Sequence, residues 1–165
     1  EGEGLQWPSP NPEHPGTKFL HKDKFVRGKG LFHAVEHQPP AELVDEEYPF
    51  WLTTGRVHVH YHTGTMTRNS PSLNAEISEA YLEINPADAS ELGVSGGDSV
   101  KVTSRRGDIT ARTMLTERVR EGIVFMPFHF AEGPANTLTI DTLDPIAKIP
   151  EYKVCAAQIR STHGK

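Results

Sequence analysis

Only one of the 165 residues is a cysteine. Cys155 therefore has no intrachain disulfide partner, and no Cys-based metal cluster can form. It sits in an alternating apolar run, which predicts a buried and inert thiol. Positive charge is not in excess either. Seventeen Lys and Arg stand against 22 Asp and Glu, a net charge of −5, and no basic patch exists to draw in nucleic acid. No apolar run reaches the roughly 18 residues of a membrane-spanning helix. The chain starts on Glu1 with no apolar leader behind it, so it reads as an excised piece, and a cytoplasmic location is expected. No Gly-x-Ser-x-Gly elbow or similar nucleophile motif occurs, and no catalytic set is assigned.

What is present fills one domain with an appendage. Residues 1–47 are rich in proline and glycine turn chemistry and show no sustained period of 3.6 or 2. Trp7, Phe19, Leu20, Phe25, Phe32 and Val35 are spread through them. That pattern predicts an extended strap packed across a neighbouring surface, with a short strand over 29–35. Residues 48–160 form the domain proper and 161–165 a tail.

In the domain, residues 48–52 predict a buried strand that ends in a turn at Thr53-Thr54-Gly55-Arg56. Val57-His58-Val59-His60 alternates and predicts a second short strand or an extended turn. Met66 to Arg68 opens a helix that Ser70-Pro71-Ser72 breaks, with one further helical turn at 73–77. Residues 79–84 alternate as a strand. Asn85-Pro86 then starts a helix and Gly93 ends it, with Asp88 near its positive end. Strands follow over 99–104, with Val100 and Val102 inward, and over 109–115, joined by a hairpin turn at 105–108. The Arg-Gly-Asp triplet in that turn is read as turn chemistry. Further strands are expected at 122–126 and 152–159, and one helical turn at 144–147. Short strands with one well-capped helix give a small mixed β-barrel.

The densest polar stretch is His60-Tyr61-His62-Thr63-Gly64-Thr65-Met66-Thr67-Arg68, preceded by Thr54-Gly55-Arg56. It offers many donors and few acids, which suits a phosphate-bearing ligand. His58, His60 and His62 at i, i+2, i+4 would line one face of a strand and could hold zinc, but the acids to complete such a site are not nearby.

These segments resemble the last domain of molybdopterin-dependent oxidoreductases, and formate dehydrogenase large (alpha) subunits in particular. Residues 53–68, 125–139 and 150–155 carry the likeness, together with Gly4-Leu5-Gln6-Trp7-Pro8, His14-Pro15-Gly16-Thr17, Arg27-Gly28-Lys29-Gly30 and Pro39-Pro40-Ala41-Glu42 in the lead-in. Those enzymes are expected to have Cys where this chain has Ser9. The resemblance implies a mainly β fold, a double-psi β-barrel with short helices and an extended N-terminal strap. It implies a site for molybdopterin guanine dinucleotide, whose molybdenum or tungsten is held mainly by other domains. Thr54, Gly55 and Arg56 would supply a backbone nest and a guanidinium. His60, Thr63, Thr65 and Arg68 would donate to phosphate or pterin. Phe128, His129, Asn136 and Thr139 resemble a second cluster and Lys153 a third. The metal ligand, the catalytic residues and an iron–sulfur cluster would lie in the remaining domains of the same subunit, which would pass electrons to a partner subunit. Nitrate and other oxyanion reductases share the barrel but are expected to lack this lead-in. A stand-alone double-psi barrel that binds proteins is the alternative from another class.

Overall fold

The structure is a computed structural model that describes residues 4–162. Residues 163–165 of the expected tail lie outside the described residues. The chain divides into one compact unit up to Gln38 and a second from Pro39 onward.

Among the described residues of the first unit no strand forms. Thr17 donates its N–H to the Gln6 carbonyl at 2.8 Å, and Gly16, at φ 87°, sits where an added Cβ would meet Gln6 backbone. An isolated bridge joins Phe25 to Gly28. The strand expected at 29–35 is absent because no neighbouring segment offers those residues a ladder partner. Trp7, Val26, Phe32 and Val35 are all more than 80% exposed.

The second unit is a closed barrel of six strands: β1 Phe50–Gly55, β2 Tyr81–Ile84, β3 Ser99–Ser104, β4 Gly107–Leu115, β5 Ile123–Pro127 and β6 Cys155–Ser161. Around the barrel their order is β1-β5-β2-β4-β3-β6. The trio β2, β3, β4 is repeated by β5, β6, β1. In each trio the first and last strands pair in parallel, and the middle strand pairs antiparallel with the last. The trios join through β2 with β5 and β3 with β6, both antiparallel. Two interlocked halves of this kind make a double-psi β-barrel.

Leu52, Leu82, Ile84, Val100, Val102, Val124, Met126 and Leu138 fill the interior with no exposed surface. Each contributes about 1.5–3 kcal/mol by leaving water. A one-residue slip would turn such a set outward, so the core fixes the register. β3 follows the expected alternation, with Val100 and Val102 inward. β2 does not alternate in burial: Leu82 and Ile84 face the core, and Tyr81 and Glu83 are also buried, at the floor of a cleft they share with Val57, Ile77, Met114 and Phe125.

Helix α1 spans Pro71–Glu76 and helix α2 spans Pro86–Leu92. The Asn85 side chain accepts from the Ala87 N–H, and Gly93 closes α2 at φ 65°. Pro71 was expected to break a helix but opens one, since its missing N–H costs nothing in the first turn. Thr53-Thr54-Gly55 is strand and not turn, because parallel pairing with β5 continues to Gly55 opposite Pro127. An added Cβ at Gly55 would lie 2.6 Å from the Phe125 ring. Residues 57–60 form turns, and 145–147 turn without a helix. β6 begins at Cys155, later than expected.

The β3–β4 turn is only Arg105-Arg106, and Asp108 lies in β4, paired with Lys101 at 3.2 Å. Both arginines converge on Glu42, which also accepts from the Ala156 N–H at 2.9 Å. Burial alone would raise the Glu42 pKa. The hydrogen bonds from Arg106, Ala156 and Arg105 outweigh it and hold it at about 2. Cys155 is 1% exposed, and burial pushes its thiol up to about 11, the inert state expected of it.

Candidate cofactor site

Two chain segments leave the barrel side by side, because β1 and β5 are parallel neighbours. Arg56 to His62 follows β1, and Phe128 to Ile140 follows β5. A third segment, 150–153, approaches as it enters β6. Between them lies a cleft of about 410 Å³ lined by Arg56, His62, Phe128, Asn136, Thr139, Ile140, Pro150 and Tyr152. No carboxylate lines it. The Arg56 guanidinium lies 5.7 Å from the centre of the Phe128 ring and 3.4 Å from His62 Nδ1. Lys153 Nζ lies 5.8 Å from the Phe128 ring and donates to the Thr54 carbonyl at 2.8 Å. An aromatic plate flanked by two cations, with amide and hydroxyl groups opposite, can hold an anion and a flat heterocycle together.

Four of the residues expected from sequence line this cleft: Arg56, Phe128, Asn136 and Thr139. Lys153 reaches its rim over Phe128. Among the described residues the Asn136 side chain has no hydrogen-bond partner, while its main-chain carbonyl accepts from the Thr139 hydroxyl at 3.0 Å. Asn136 is exposed on a short 3-10 turn, Ala135–Thr137.

The other expected residues support the cleft from behind or stand outside it. Thr54 is 2% exposed, and its hydroxyl donates to the Tyr152 carbonyl at 2.6 Å. Gly55 gives the Phe125 ring its room. His129 is 1% exposed; its Nε2 accepts from the Val57 N–H at 2.9 Å, and its Nδ1 donates to the His62 carbonyl. Burial lowers the His129 pKa. His60 is buried, with Nε2 donating to the Ile77 carbonyl at 2.6 Å and Nδ1 on the Thr67 hydroxyl at 3.1 Å. Arg68 was read as a phosphate donor but is held bidentate by Glu132, at 2.7 and 2.8 Å, above the Phe130 ring. Burial would raise the Glu132 pKa, yet the hydrogen bond from Arg68 brings it down overall. Thr63 and Thr65 stay exposed on the loop, outside the cleft. With 57–60 in turns, His58, His60 and His62 share no strand face. No group of three metal-ligating side chains occurs among the described residues.

Sequence reading missed His62 and Tyr152 as lining residues, and Glu132 and Glu42 as anchors. Tyr152 beside Lys153 was the available signal. Nothing local marks Glu132, which lies 64 residues from Arg68.

A larger cleft of about 500 Å³ shares Arg56 but is lined also by Glu83, Tyr81, Phe125 and Arg118. Its carboxylate, 4.0 Å from Arg118, opposes a phosphate. The acid-free cleft is therefore the better anion site.

Comparison with known proteins agrees with the barrel fold. The chain is 54% identical over 159 residues to the F420-dependent formate dehydrogenase subunit alpha of Methanocaldococcus jannaschii, covering 95% of this chain and 24% of that protein. It is 40% identical over 161 residues to the assimilatory nitrate reductase catalytic subunit of Bacillus subtilis, covering 94% of this chain and 23% of that one. The chain thus spans about a quarter of the length of the curated relatives it matches. The nitrate reductase match also corrects one expectation. At 94% coverage it includes most of the lead-in, so this segment does not separate the two classes. Among solved structures, acetylene hydratase from Pelobacter acetylenicus superposes with a TM-score of 0.62 at 17% identity, covering 70% of this chain and 19% of that one, a likeness of fold. Residues 50–156, which include β1, the cleft and the start of β6, match the molydopterin dinucleotide binding domain, and the chain belongs to that family.

Proposed function

We propose that this chain is the cofactor-binding domain of a formate dehydrogenase alpha subunit and that it holds a molybdopterin guanine dinucleotide through the acid-free cleft. The carrying observation is the donor set. Arg56 and Lys153 flank Phe128, His62 and Tyr152 line the walls, and no carboxylate competes for them. A pyrophosphate needs such donors, and the Asn136 amide offers both donor and acceptor to a purine or pterin edge. The residues present therefore fit the group.

Arg56 and Lys153 neutralise the pyrophosphate. Thr54, Gly55, His60, Arg68 and His129 hold the walls in place. When bound, the molybdenum or tungsten centre supplies the oxidation of formate to carbon dioxide. This chain contributes no catalytic residue to that step, and the remaining domains of the subunit carry the metal ligand and the route to an electron-transfer partner. Formate is favoured over nitrate because formate dehydrogenase alpha subunits share 54, 51 and 48% identity with the chain, against 40% for the nitrate reductase. A cytoplasmic location is part of the same proposal. No helix among the described residues is long and apolar enough to cross a membrane.

The test is dye reduction by the full-length subunit that carries this domain. Formate-dependent reduction is expected, with no turnover when nitrate is offered to the dye-reduced enzyme. Nitrate turnover without formate oxidation would replace this reading with that of an oxyanion reductase.

A further inference from the structure

Both ring nitrogens of His129 are engaged by the loop that carries Arg56. A backbone N–H can only donate and a carbonyl can only accept. Nε2 faces the Val57 N–H and Nδ1 faces the His62 carbonyl. This arrangement admits one protonation state, a neutral ring with its proton on Nδ1. An imidazolium would set a donor against the Val57 N–H and lose that bond. The two anchors lie near the two ends of the loop. The side chains they position, Arg56 and His62, touch each other at 3.4 Å and both line the anion cleft.

The surroundings give an added proton no compensation. From the loop, His60 lies 5.8 Å away ring to ring, with Arg56 and His62 beside it. From its own segment, Phe128 and Phe130 pack at 5.1 and 6.2 Å. Arg68 packs on Phe130, and the nearby acid, Glu132, is already held by Arg68. Burial lowers the ring's pKa, the His62 carbonyl works the other way, and the Arg56 charge is among the smaller contributions that lower it further.

We propose that His129 is a positioning residue: its neutral ring latches the Val57–His62 loop to the exit of β5 and so sets Arg56 and His62 at the cleft, and protonation releases that latch. The effect on ligand binding rests on the function proposed above; the latch itself does not.

Long-range proton–nitrogen NMR on this chain tests it. The proton is expected on Nδ1. As pH is lowered through and below the ordinary histidine range, the Val57 amide is expected to shift and lose exchange protection in step with His129 titration. His129→Gln can still donate to His62 and accept from Val57, but it does not titrate. It should keep GDP affinity within about threefold and abolish the pH step at Val57. His129→Phe keeps the bulk without either bond. It should lose about tenfold in GDP affinity at pH 7.5 while the β3–β4 amides keep their native shifts. A proton on Nε2, a Val57 amide indifferent to His129 titration, or unchanged GDP binding by His129→Phe overturns the proposal. If no form binds GDP, the cofactor reading fails, and the tautomer and the Val57 titration still decide the latch.

Discussion

Replacing Glu42 with Gln should destabilise the barrel by about 3 kcal/mol at neutral pH. Glu42 accepts from Arg105 at 2.7 Å, from both terminal nitrogens of Arg106 at 2.9 and 2.8 Å, and from the Ala156 N–H at 2.9 Å. Its side chain is 12% exposed while that of Arg105 is 36% exposed, so solvent screens part of these contacts and the figure is an upper one. The carboxyl sits at about 2 in place of 4.5. At roughly 1.4 kcal/mol per unit that shift corresponds to about 3 kcal/mol of linked stability. Because the folded pKa is depressed, the contribution is fully present above pH 4.5 and is lost as pH falls toward 2. Urea denaturation at pH 7 should show the loss directly, with a melting temperature lower by about 6–12 °C. Between pH 4.5 and 3 the wild type should lose stability more steeply than the variant, which has no carboxylate at this position to protonate. A loss under about 1 kcal/mol at pH 7, or equal acid slopes, refutes the anchoring role of Glu42.

Arg56→Ala should weaken GDP binding about tenfold or more by calorimetry and leave the urea midpoint near wild type, since the side chain is exposed at the cleft. Arg68→Met should do the reverse. It breaks a half-exposed pair and should cost up to about 1 kcal/mol in urea, with GDP affinity changed less than about threefold. Gly55→Ala should cost about 1–3 kcal/mol by overpacking, because its new methyl would lie 2.6 Å from the Phe125 ring. Cys155, with its thiol at about 11 and 1% exposed, should resist iodoacetamide at pH 8 and react only after unfolding in urea.

Local chemistry was legible where one short segment decides the outcome. Asn85, Pro86 and Gly93 set both ends of α2, and Val100 and Val102 reveal the inner face of β3. Of the residues named from sequence, Arg56, Phe128, Asn136, Thr139 and Lys153 surround one cleft. What was not legible depends on distant partners. Arg68 looks like a free phosphate donor until Glu132 arrives from 64 residues away. His129 looks like a ligand contact until Val57 and His62 take both its nitrogens. β2 looks half-exposed until residues from distant segments, Val57, Ile77 and Phe125 among them, gather over Tyr81 and Glu83. Pro71 shows the same limit at short range, since a proline can end one helix or open the next, and only the chain path decides.

The most direct test of the cofactor cleft is a GDP titration of this chain followed by amide NMR, with ADP as control. GDP should shift the amides of Arg56, His62, Asn136, Thr139 and Lys153, and ADP should shift the Arg56 and Lys153 group with weaker effects at Asn136. Shifts confined to other surfaces, or no shift with the barrel's spectrum intact, would contradict the assignment of this cleft to the dinucleotide.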